Sequence, residues 1–234
     1  MRIPAEWRYG SLKGRLFRKL MARRGAALVV LDGQTRQDLA VVHETRRRLP
    51  LLMQDAAALQ IMACARAARQ LGGSMAEAGV FMGGSARLIC EAKGDAPLHL
   101  YDAFEFLQGD LPDRPEARTL RDYFGSFHSR LEDVKGTLSA YPHVQFHPGH
   151  FPQSADRLAE EERFSFVHLD LDLAEGTFAA LELFWPRMLP GGVVIGDDYN
   201  LPAVRGAFER YFAEKPEKPV ALLWSQAMVV KNSA

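Results

Sequence analysis

The stretch FSFVHLDLDLAEGTFAALELFWPRMLPGGVVIGDDY, residues 164–199, decides the fold of this chain. Two short apolar runs flank a helical apolar pattern, which predicts a buried strand, a helix and a second buried strand. Asp170 and Asp172 end the first run, and Asp197 and Asp198 end the second. Carboxylates brought together repel one another unless a cation or a proton separates them. The four aspartates therefore indicate a site.

Patterns of the same kind continue on both sides of this stretch. We predict further strands within residues 75–81, 97–104 and 143–151, and helices within residues 52–73, 85–94, 114–131 and 201–215. Residues 219–231 are predicted to form two strands that meet near Ser225–Gln226 with no helix between them. The expected fold class is α/β: a Rossmann-like, mostly parallel seven-stranded sheet with an antiparallel C-terminal hairpin and helices on both faces. Ligands of such sheets bind outside the carboxyl ends of the strands, where all four aspartates lie.

The composition is that of an ordinary globular protein, with 47% hydrophobic and 25% charged residues among 234. The 29 Lys and Arg residues balance the 29 Asp and Glu residues, so no nucleic-acid partner is expected. Residues 1–48 nevertheless hold 12 basic and 4 acidic side chains. We expect residues 1–50 to be a helical lead-in, serving as an acceptor lid or an oligomer contact, and residues 51–234 to be the main domain.

The apolar stripe of the lead-in has no obvious place on the core sheet; it comprises Leu12, Leu16, Phe17, Leu20 and Met21. A homo-oligomer formed through this helix is one expectation, and a membrane contact or a transit segment are alternatives. No apolar run reaches 18 residues, so no membrane span is expected. The two cysteines, Cys64 and Cys90, lie in apolar helix faces, which predicts reduced thiols and a cytoplasmic location.

A glycine-rich turn follows the first predicted strand in EAGVFMGGSARL, residues 77–88. Glycines there let the backbone approach a ligand, which the amides of the next helix then face. The pattern is neither the dinucleotide-binding nor the phosphate-binding glycine motif. Asp102 ends the next strand, about 20 residues on, where a carboxylate can accept hydrogen bonds from a ribose diol. Together these features predict S-adenosylmethionine, although a tight turn and a helix-capping aspartate would also explain them.

Three segments resemble class I methyltransferases and, within them, the macrocin O-methyltransferase family, which methylates sugar hydroxyls of natural products. They are AEAGVFMGGSARLI (residues 76–89), YDAFEFL (101–107) and HLDLDLAEGTFAALELFWPRMLPGGVVIGDDY (168–199). The resemblance extends over about residues 50–212. Phe106 replaces a usual glycine and Ala174 a usual tyrosine, so the lid loop and the acceptor pocket depart from the family pattern.

The resemblance implies cofactor contacts at the glycine turn, at the second strand end and at the loop after the third strand. The residues expected there are Glu77, Gly79, Gly83, Gly84, Ser85, Asp102, Phe104, Gly149 and His150. Trp185 and Trp224 are expected to be packing residues.

The resemblance also implies that Asp170, Asp197 and Asp198 bind one divalent cation, expected to be Mg²⁺, which prefers carboxylate oxygens. Two vicinal hydroxyls of the acceptor would complete its coordination. Asp172 then remains as the candidate general base. Its rivals are three histidines near strand ends: His147, His150 and His168. The alternative for all four aspartates is a set of solvated strand-end and turn residues.

We therefore expect a cytoplasmic O-methyltransferase that depends on S-adenosylmethionine and a divalent cation. Its acceptor would be a small polyhydroxylated molecule, a sugar of a natural product. A catechol or phenol O-methyltransferase is the first alternative, because a catechol offers the same vicinal diol. A non-catalytic protein that binds S-adenosylmethionine and acts through an interaction surface is the alternative from another class. A nicotinamide-dependent oxidoreductase is disfavoured by the missing glycine motif.

Overall fold

A computed structural model of the chain describes residues 11–25, 29, 31–104 and 129–232. The internal contacts of the chain divide it into two units, Met1–Gln37 and Asp38–Ala234. In the first unit, helix α1 (Leu12–Ala22) begins at Ser11, whose Oγ accepts a hydrogen bond from the backbone N–H of Gly14. Leu12, Leu16 and Leu20 of α1 are exposed. Helix α2 (Gly33–Arg48) contains the boundary between the units.

The second unit is built on a sheet whose described residues form seven strands. They are β1 (Ser74–Ala78), β2 (Leu98–Asp102), β3 (Val144–Pro148), β4 (Phe164–Leu169), β5 (Met188–Gly196), β6 (Val220–Ala221) and β7 (Ala227–Val230). Their spatial order is β3-β2-β1-β4-β5-β7-β6. The first five strands pair in parallel, and β7 is antiparallel to both β5 and β6. The predicted mostly parallel sheet with an antiparallel C-terminal hairpin is confirmed.

Helices cover both faces of this sheet, as predicted. They are α3 (Asp55–Ala68), α4 (Gly84–Lys93), α5 (Leu131–Leu138), α6 (Ala174–Phe184) and α7 (Pro202–Tyr211). Alternate strand residues point to opposite faces. Met75 and Phe166 therefore pack in one apolar cluster with α3, α4 and α5, and their neighbours Ala76 and Val167 pack in a second cluster with α6 and α7.

Several predicted boundaries shift. The helix predicted over residues 114–131 falls mostly outside the described residues, and α5 begins only at Leu131. Among the described residues, no helix is both long and apolar enough to cross a membrane.

The two tryptophans expected in the core differ. Trp185 is buried as predicted, whereas Trp224 is 71% exposed, so the prediction for Trp224 was wrong. Trp224 lies between β6 and β7, where the chain turns back, and the turn directs its side chain away from both apolar clusters.

The strand order places a crevice at the carboxyl ends of β1 and β4. From β1 the chain continues to β2 on one side, and β4 lies on the other side. Loops that leave neighbouring strands in opposite directions separate there, which opens the usual ligand position of such sheets. The glycine turn follows β1, and the first two aspartates follow β4. The fold thus brings the predicted cofactor and cation residues to one crevice.

Candidate functional site

The glycine turn after β1 lies directly against the end of β4. Gly79 has a φ of +88°, and a Cβ there would lie 1.8 Å from the backbone oxygen of Asp170. Gly83, with a φ of +82°, precedes α4, and a Cβ on Gly84 would lie 2.7 Å from the backbone oxygen of Pro50. Only glycine avoids both the backbone strain and the clash at Gly79. The turn is therefore shaped for close contact with the strand that carries the aspartates.

Asp102, at the end of β2, holds this turn in place. Its Oδ2 accepts hydrogen bonds from the backbone N–H groups of Val80 (2.7 Å) and Phe81 (2.8 Å). Its Oδ1 accepts one from the N–H of Phe104 (2.7 Å). A carboxylate oxygen can accept two hydrogen bonds, so Oδ1 retains capacity for a ligand hydroxyl. Asp102 thus orders the turn and keeps one acceptor position for a ligand hydroxyl.

The remaining predicted cofactor residues surround the end of β2 or begin α4. Ser85 is buried in the first turn of α4, and Phe104 is buried with a φ of +50°. The backbone N–H of Gly149 donates to the carbonyl oxygen of Asp102 at 3.0 Å, which joins the loop after β3 to this region. His150 follows and is exposed.

Glu77 and His168 form a fully buried pair on the adjacent strands β1 and β4. The two residues are paired in register, and His168 Nδ1 lies 2.8 Å from Glu77 Oε1. Burial alone would lower the pKa of His168. The hydrogen bond and the negative charge of Glu77, with the charges of Asp170 and Asp197, raise it to about 9. Within the described residues, Glu77 Oε2 and His168 Nε2 have no hydrogen-bond partner. The structure therefore joins a predicted cofactor residue to a predicted base, a pairing that the sequence did not reveal.

The four aspartates converge, but in two overlapping groups. One carboxylate oxygen each of Asp170, Asp172 and Asp198 lie within 4.8 Å of one another. A ring nitrogen of His168 and carboxylate oxygens of Asp170 and Asp197 form the second such group. Among the described residues, no group of this kind contains both Asp197 and Asp198. Asp170 is common to both groups and lies at the centre of the cluster.

The electrostatics of this cluster are unfavourable without a counter-charge. Burial raises the pKa of Asp170 well above its ordinary value; the charges of Asp197 and Asp172 raise it further, and His168 opposes them. Desolvation, a side-chain hydrogen bond to Asp198 and the charge of Asp198 also raise the pKa of Asp172 well above its ordinary value. Asp172 is nevertheless an exposed residue, so its contact with Asp198 is the firmer cause. Asp172 and Asp198 also have positive φ values of +59° and +54°. Carboxylates held together in this way suit a hard divalent cation, which would take the place of protons.

Asp197 differs from the others because protein donors orient it. Its Oδ1 accepts hydrogen bonds from Ser225 Oγ (2.6 Å) and the backbone N–H of Asp198 (2.9 Å). Gln226 Nε2 lies 3.5 Å from Oδ2, and Gln60 Nε2 donates to Gln226 Oε1 at 3.0 Å. The sequence indicated Ser225–Gln226 only as a hairpin turn. Their role as donors depends on the antiparallel pairing of β7 with β5, which no local pattern reveals.

The rival bases lie in different surroundings. His147 Nε2 is 3.0 Å from His99 Nδ1, and its ring stacks on Tyr101 with centroids 4.4 Å apart. Burial lowers the pKa of His147, and the neighbouring His99 lowers it further. His147 is therefore engaged in packing on β2 and β3. Of the three histidines, only His168 belongs to a group with the aspartates among the described residues.

Comparisons with known proteins give two relatives that match part of the chain. The 8-demethyl-8-(2,3-dimethoxy-alpha-L-rhamnosyl)-tetracenomycin-C 4'-O-methyltransferase of Streptomyces olivaceus is 34% identical over 151 residues, which cover 59% of this chain and 58% of that protein. The mycinamicin III 3''-O-methyltransferase of Micromonospora griseorubida is 35% identical over 85 residues, 35% of this chain and 33% of that protein. The match therefore spans less than two thirds of either relative.

The solved structure of the O-methyltransferase NovP superposes with a TM-score of 0.68 at 21% identity, covering 94% of this chain and 99% of NovP, and it supports the fold. The family model for macrocin O-methyltransferase (TylF) matches residues 37–223, which include the glycine turn, Asp102 and all four aspartates. The chain therefore belongs to the macrocin O-methyltransferase family.

Proposed function

We propose that this protein transfers a methyl group from S-adenosylmethionine to a hydroxyl of a small polyhydroxylated acceptor, a sugar of a natural product, with the help of a divalent cation. The observation that carries the proposal is the contact between the glycine turn and the aspartate cluster at Gly79 and Asp170. It joins a site suited to an adenosine ligand to a site suited to a cation. Family membership and the two relatives, both named as O-methyltransferases and the first of them for a rhamnosyl tetracenomycin, support the reaction and the acceptor class.

On the cofactor side, the backbone of the glycine turn provides the surface for S-adenosylmethionine. Asp102 holds the N–H groups of Val80 and Phe81 and offers the free capacity of Oδ1 to the ribose hydroxyls. The contacts proposed for Glu77, Gly83, Gly84, Ser85, Phe104, Gly149 and His150 complete this side. The role of Glu77 is then indirect, because its carboxylate contacts His168.

On the acceptor side, Asp170, Asp197 and Asp198 would hold the cation, with Mg²⁺ the expected ion. A bound divalent cation lowers the pKa of a coordinated hydroxyl and fixes its position. Ser225 and Gln226 keep the carboxylate of Asp197 oriented. Asp197 and Asp198 are consecutive residues, so both carboxylates lie at the end of β5.

Asp172 is the proposed general base. A carboxylate oxygen of Asp172 lies within 4.8 Å of carboxylate oxygens of Asp170 and Asp198, so Asp172 is placed to accept the proton of a hydroxyl held at the proposed cation. Asp172 would take the hydroxyl proton as the acceptor oxygen forms its bond to the methyl carbon and the carbon–sulfur bond breaks. Most of the rate enhancement would come from positioning the two reactants.

We also propose a cytoplasmic location and a homo-oligomer formed through α1. The free thiols of Cys64 and Cys90 are compatible with a reducing compartment. Three exposed leucines, Leu12, Leu16 and Leu20, lie on α1 at intervals of four residues and would be covered in an oligomer. Light scattering of the full chain and of a chain lacking residues 1–24 tests the oligomer, and a monomer in both samples would reject it.

The function is tested by two measurements on the full chain. Calorimetry should show that S-adenosylhomocysteine binds, and NAD should not. Mass spectrometry should show methyl transfer to glycosides that carry vicinal hydroxyls, and EDTA should abolish it. A panel that includes catechols decides between the two acceptor classes. Full activity in EDTA would reject the role of the cation, and binding of S-adenosylhomocysteine without transfer to any acceptor would favour a non-catalytic binding protein.

A further inference from the structure

Exposed apolar residues lie next to the aspartates in the sequence and at the hairpin tip that is hydrogen-bonded to Asp197. Leu173 directly follows Asp172, and Leu201 directly precedes α7, the helix that follows Asp198; both are exposed. Leu223 and Trp224, at the tip of the β6–β7 hairpin, are the most exposed of the group, at 70% and 71%. Exposed apolar side chains therefore adjoin, along the chain, the segments that carry the carboxylates.

The hairpin tip is fixed to the strand that carries two of the aspartates. The N–H of Leu222 donates to the carbonyl oxygen of Gln226 at 2.8 Å, which closes the loop over residues 223–225. The carbonyl oxygen of Ser225 accepts from the N–H of Tyr199 at 2.5 Å, and Ser225 Oγ donates to Asp197. Trp224 is covalently joined to Ser225. Its backbone is therefore held next to the end of β5.

The backbone of Trp224 is in an unfavourable conformation. Its φ is +71°, a region that bulky residues rarely adopt and that costs on the order of 1–3 kcal/mol. The side chain contributes nothing to either apolar cluster. An exposed indole in a strained backbone, fixed beside a reaction site, indicates a ligand contact.

We propose that Trp224 is the platform on which the acceptor sugar stacks, with Leu223 and Leu201 contacting the apolar part of the glycoside. This inference rests on the proposed function. A pyranose ring has a face of C–H groups and an edge of hydroxyls. The C–H groups carry partial positive charge and are attracted to the negative face of an indole. The hydroxyl edge would then meet the carboxylate cluster, so the two features of the site match the two surfaces of one sugar ring.

The test uses the protein loaded with S-adenosylhomocysteine and Mg²⁺, with 4-nitrophenyl α-L-rhamnopyranoside as the probe. Saturation-transfer NMR and titration should show that the sugar C–H protons contact the protein. Trp224→Ala should weaken probe binding about tenfold, and Trp224→Phe should retain most of it. Leu71→Ala is the matched control, because Leu71 is an exposed apolar residue just before β1, at the amino ends of the parallel strands and therefore at the opposite end of the sheet from the aspartates. It should leave the affinity unchanged.

The controls separate this inference from the proposed function. Trp224→Ala should still bind S-adenosylhomocysteine and Mg²⁺ like the wild type; loss of either ligand in the wild type would reject the function itself. Unchanged probe affinity in Trp224→Ala overturns the platform. So does a wild type that binds 4-nitrocatechol but not the glycoside. A change of oligomeric state in Trp224→Ala, measured by light scattering, would also overturn it, because the tip would then be a subunit contact.

Discussion

The two halves of the crevice differ in how their charges are balanced. On the side of β1 and β2, the carboxylate of Asp102 accepts hydrogen bonds from three backbone N–H groups, which hold the turn in place. On the side of β4 and β5, desolvation raises the pKa values of Asp170 and Asp172, and the neighbouring carboxylates raise them further. The first half is complete in itself, and the second half needs a cation or protons.

This difference indicates how the two ligands are treated. A pre-ordered turn binds its ligand without a further ordering cost. A cluster of repelling carboxylates instead stores a destabilisation that a divalent cation relieves on binding. Functional sites often carry destabilisation of this kind at some expense to the stability of the fold. The predictions below test each half separately.

The largest effect is expected at Asp170, the residue common to both aspartate groups. Asp170→Asn removes a charged ligand from the centre of the cluster, so methyl transfer should fall by more than about 100-fold. This exceeds the loss typical of changes to residues that only hydrogen-bond to a metal ligand. Calorimetric binding of S-adenosylhomocysteine should change little. The exposed Asp95 provides the control: Asp95→Asn should retain full activity. Near-normal turnover of Asp170→Asn in steady-state assays would contradict the account.

Asp102→Ala should damage the other half. It removes the acceptor of three backbone N–H groups, and hydrogen bonds to a charged group are each worth about 1.5–3 kcal/mol. We expect a loss of about 3 kcal/mol in the free energy of unfolding, measured by urea denaturation. S-adenosylhomocysteine should bind more weakly, whereas Mg²⁺ affinity should be retained. An unaltered turn, shown by wild-type stability and affinity, would refute the role of Asp102.

Ser225→Ala is expected to have an intermediate effect. It removes the 2.6 Å hydrogen bond to Asp197 and leaves that carboxylate less well oriented. Loss of a hydrogen bond to a metal-binding carboxylate typically lowers metal affinity about 10–100-fold. Ser139→Ala is a suitable control, because the exposed Ser139 Oγ donates only to a backbone carbonyl oxygen of α5. Calorimetric titration of Mg²⁺ decides the matter, and equal affinities in the two variants would remove Ser225 from the site.

The smallest effect is a gain in stability. In EDTA, Asp172→Asn should melt a few degrees higher than the wild type, because one repelling carboxylate is removed. The unfolded chain loses the proton of this aspartate near pH 4, but the folded chain holds it to a higher pH. Protonated Asp172 therefore makes its whole contribution to the stability below about pH 4. That contribution is lost as pH rises through the pKa that Asp172 has in the folded chain. The advantage of the variant should grow over the same range in thermal melts. If the higher melting temperature of Asp172→Asn disappeared as pH rises, the predicted direction of the pH dependence would be wrong.

Much of this arrangement could be predicted from the sequence, because it depends on local patterns. The alternation of apolar runs placed Asp102, Asp170 and Asp197 at strand ends, and the parallel sheet brought those ends together. Long-range pairing supplied what was missed. The Glu77–His168 pair requires β1 beside β4 in register, and the donors Ser225 and Gln226 require β7 beside β5. Glu77 and His168 are 91 positions apart, and Asp197 and Ser225 are 28 positions apart. No short segment of sequence contains both members of either pair.

Trp224 shows a different limit of sequence reasoning. An apolar residue in an apolar strand pattern is usually a core residue, and the segment PVALLWSQAMVVK gave no sign that its tip faces outward. Its exposure follows from the loop over residues 223–225, which is closed by a single backbone hydrogen bond. The position of a hairpin tip depends on register, and one residue of shift would exchange the inward and outward side chains.

The central claim is that the aspartate cluster holds one divalent cation beside the cofactor turn. Anomalous diffraction from crystals grown with S-adenosylhomocysteine and Mn²⁺, as a substitute for Mg²⁺, tests it most directly. The account predicts one anomalous peak in contact with the carboxylate oxygens of Asp170 and Asp198, with S-adenosylhomocysteine bound at the glycine turn. The third carboxylate that binds the Mn²⁺ ion would also show whether Asp172 or Asp197 is the ligand. A structure with S-adenosylhomocysteine in place and no anomalous peak at these aspartates would contradict the account.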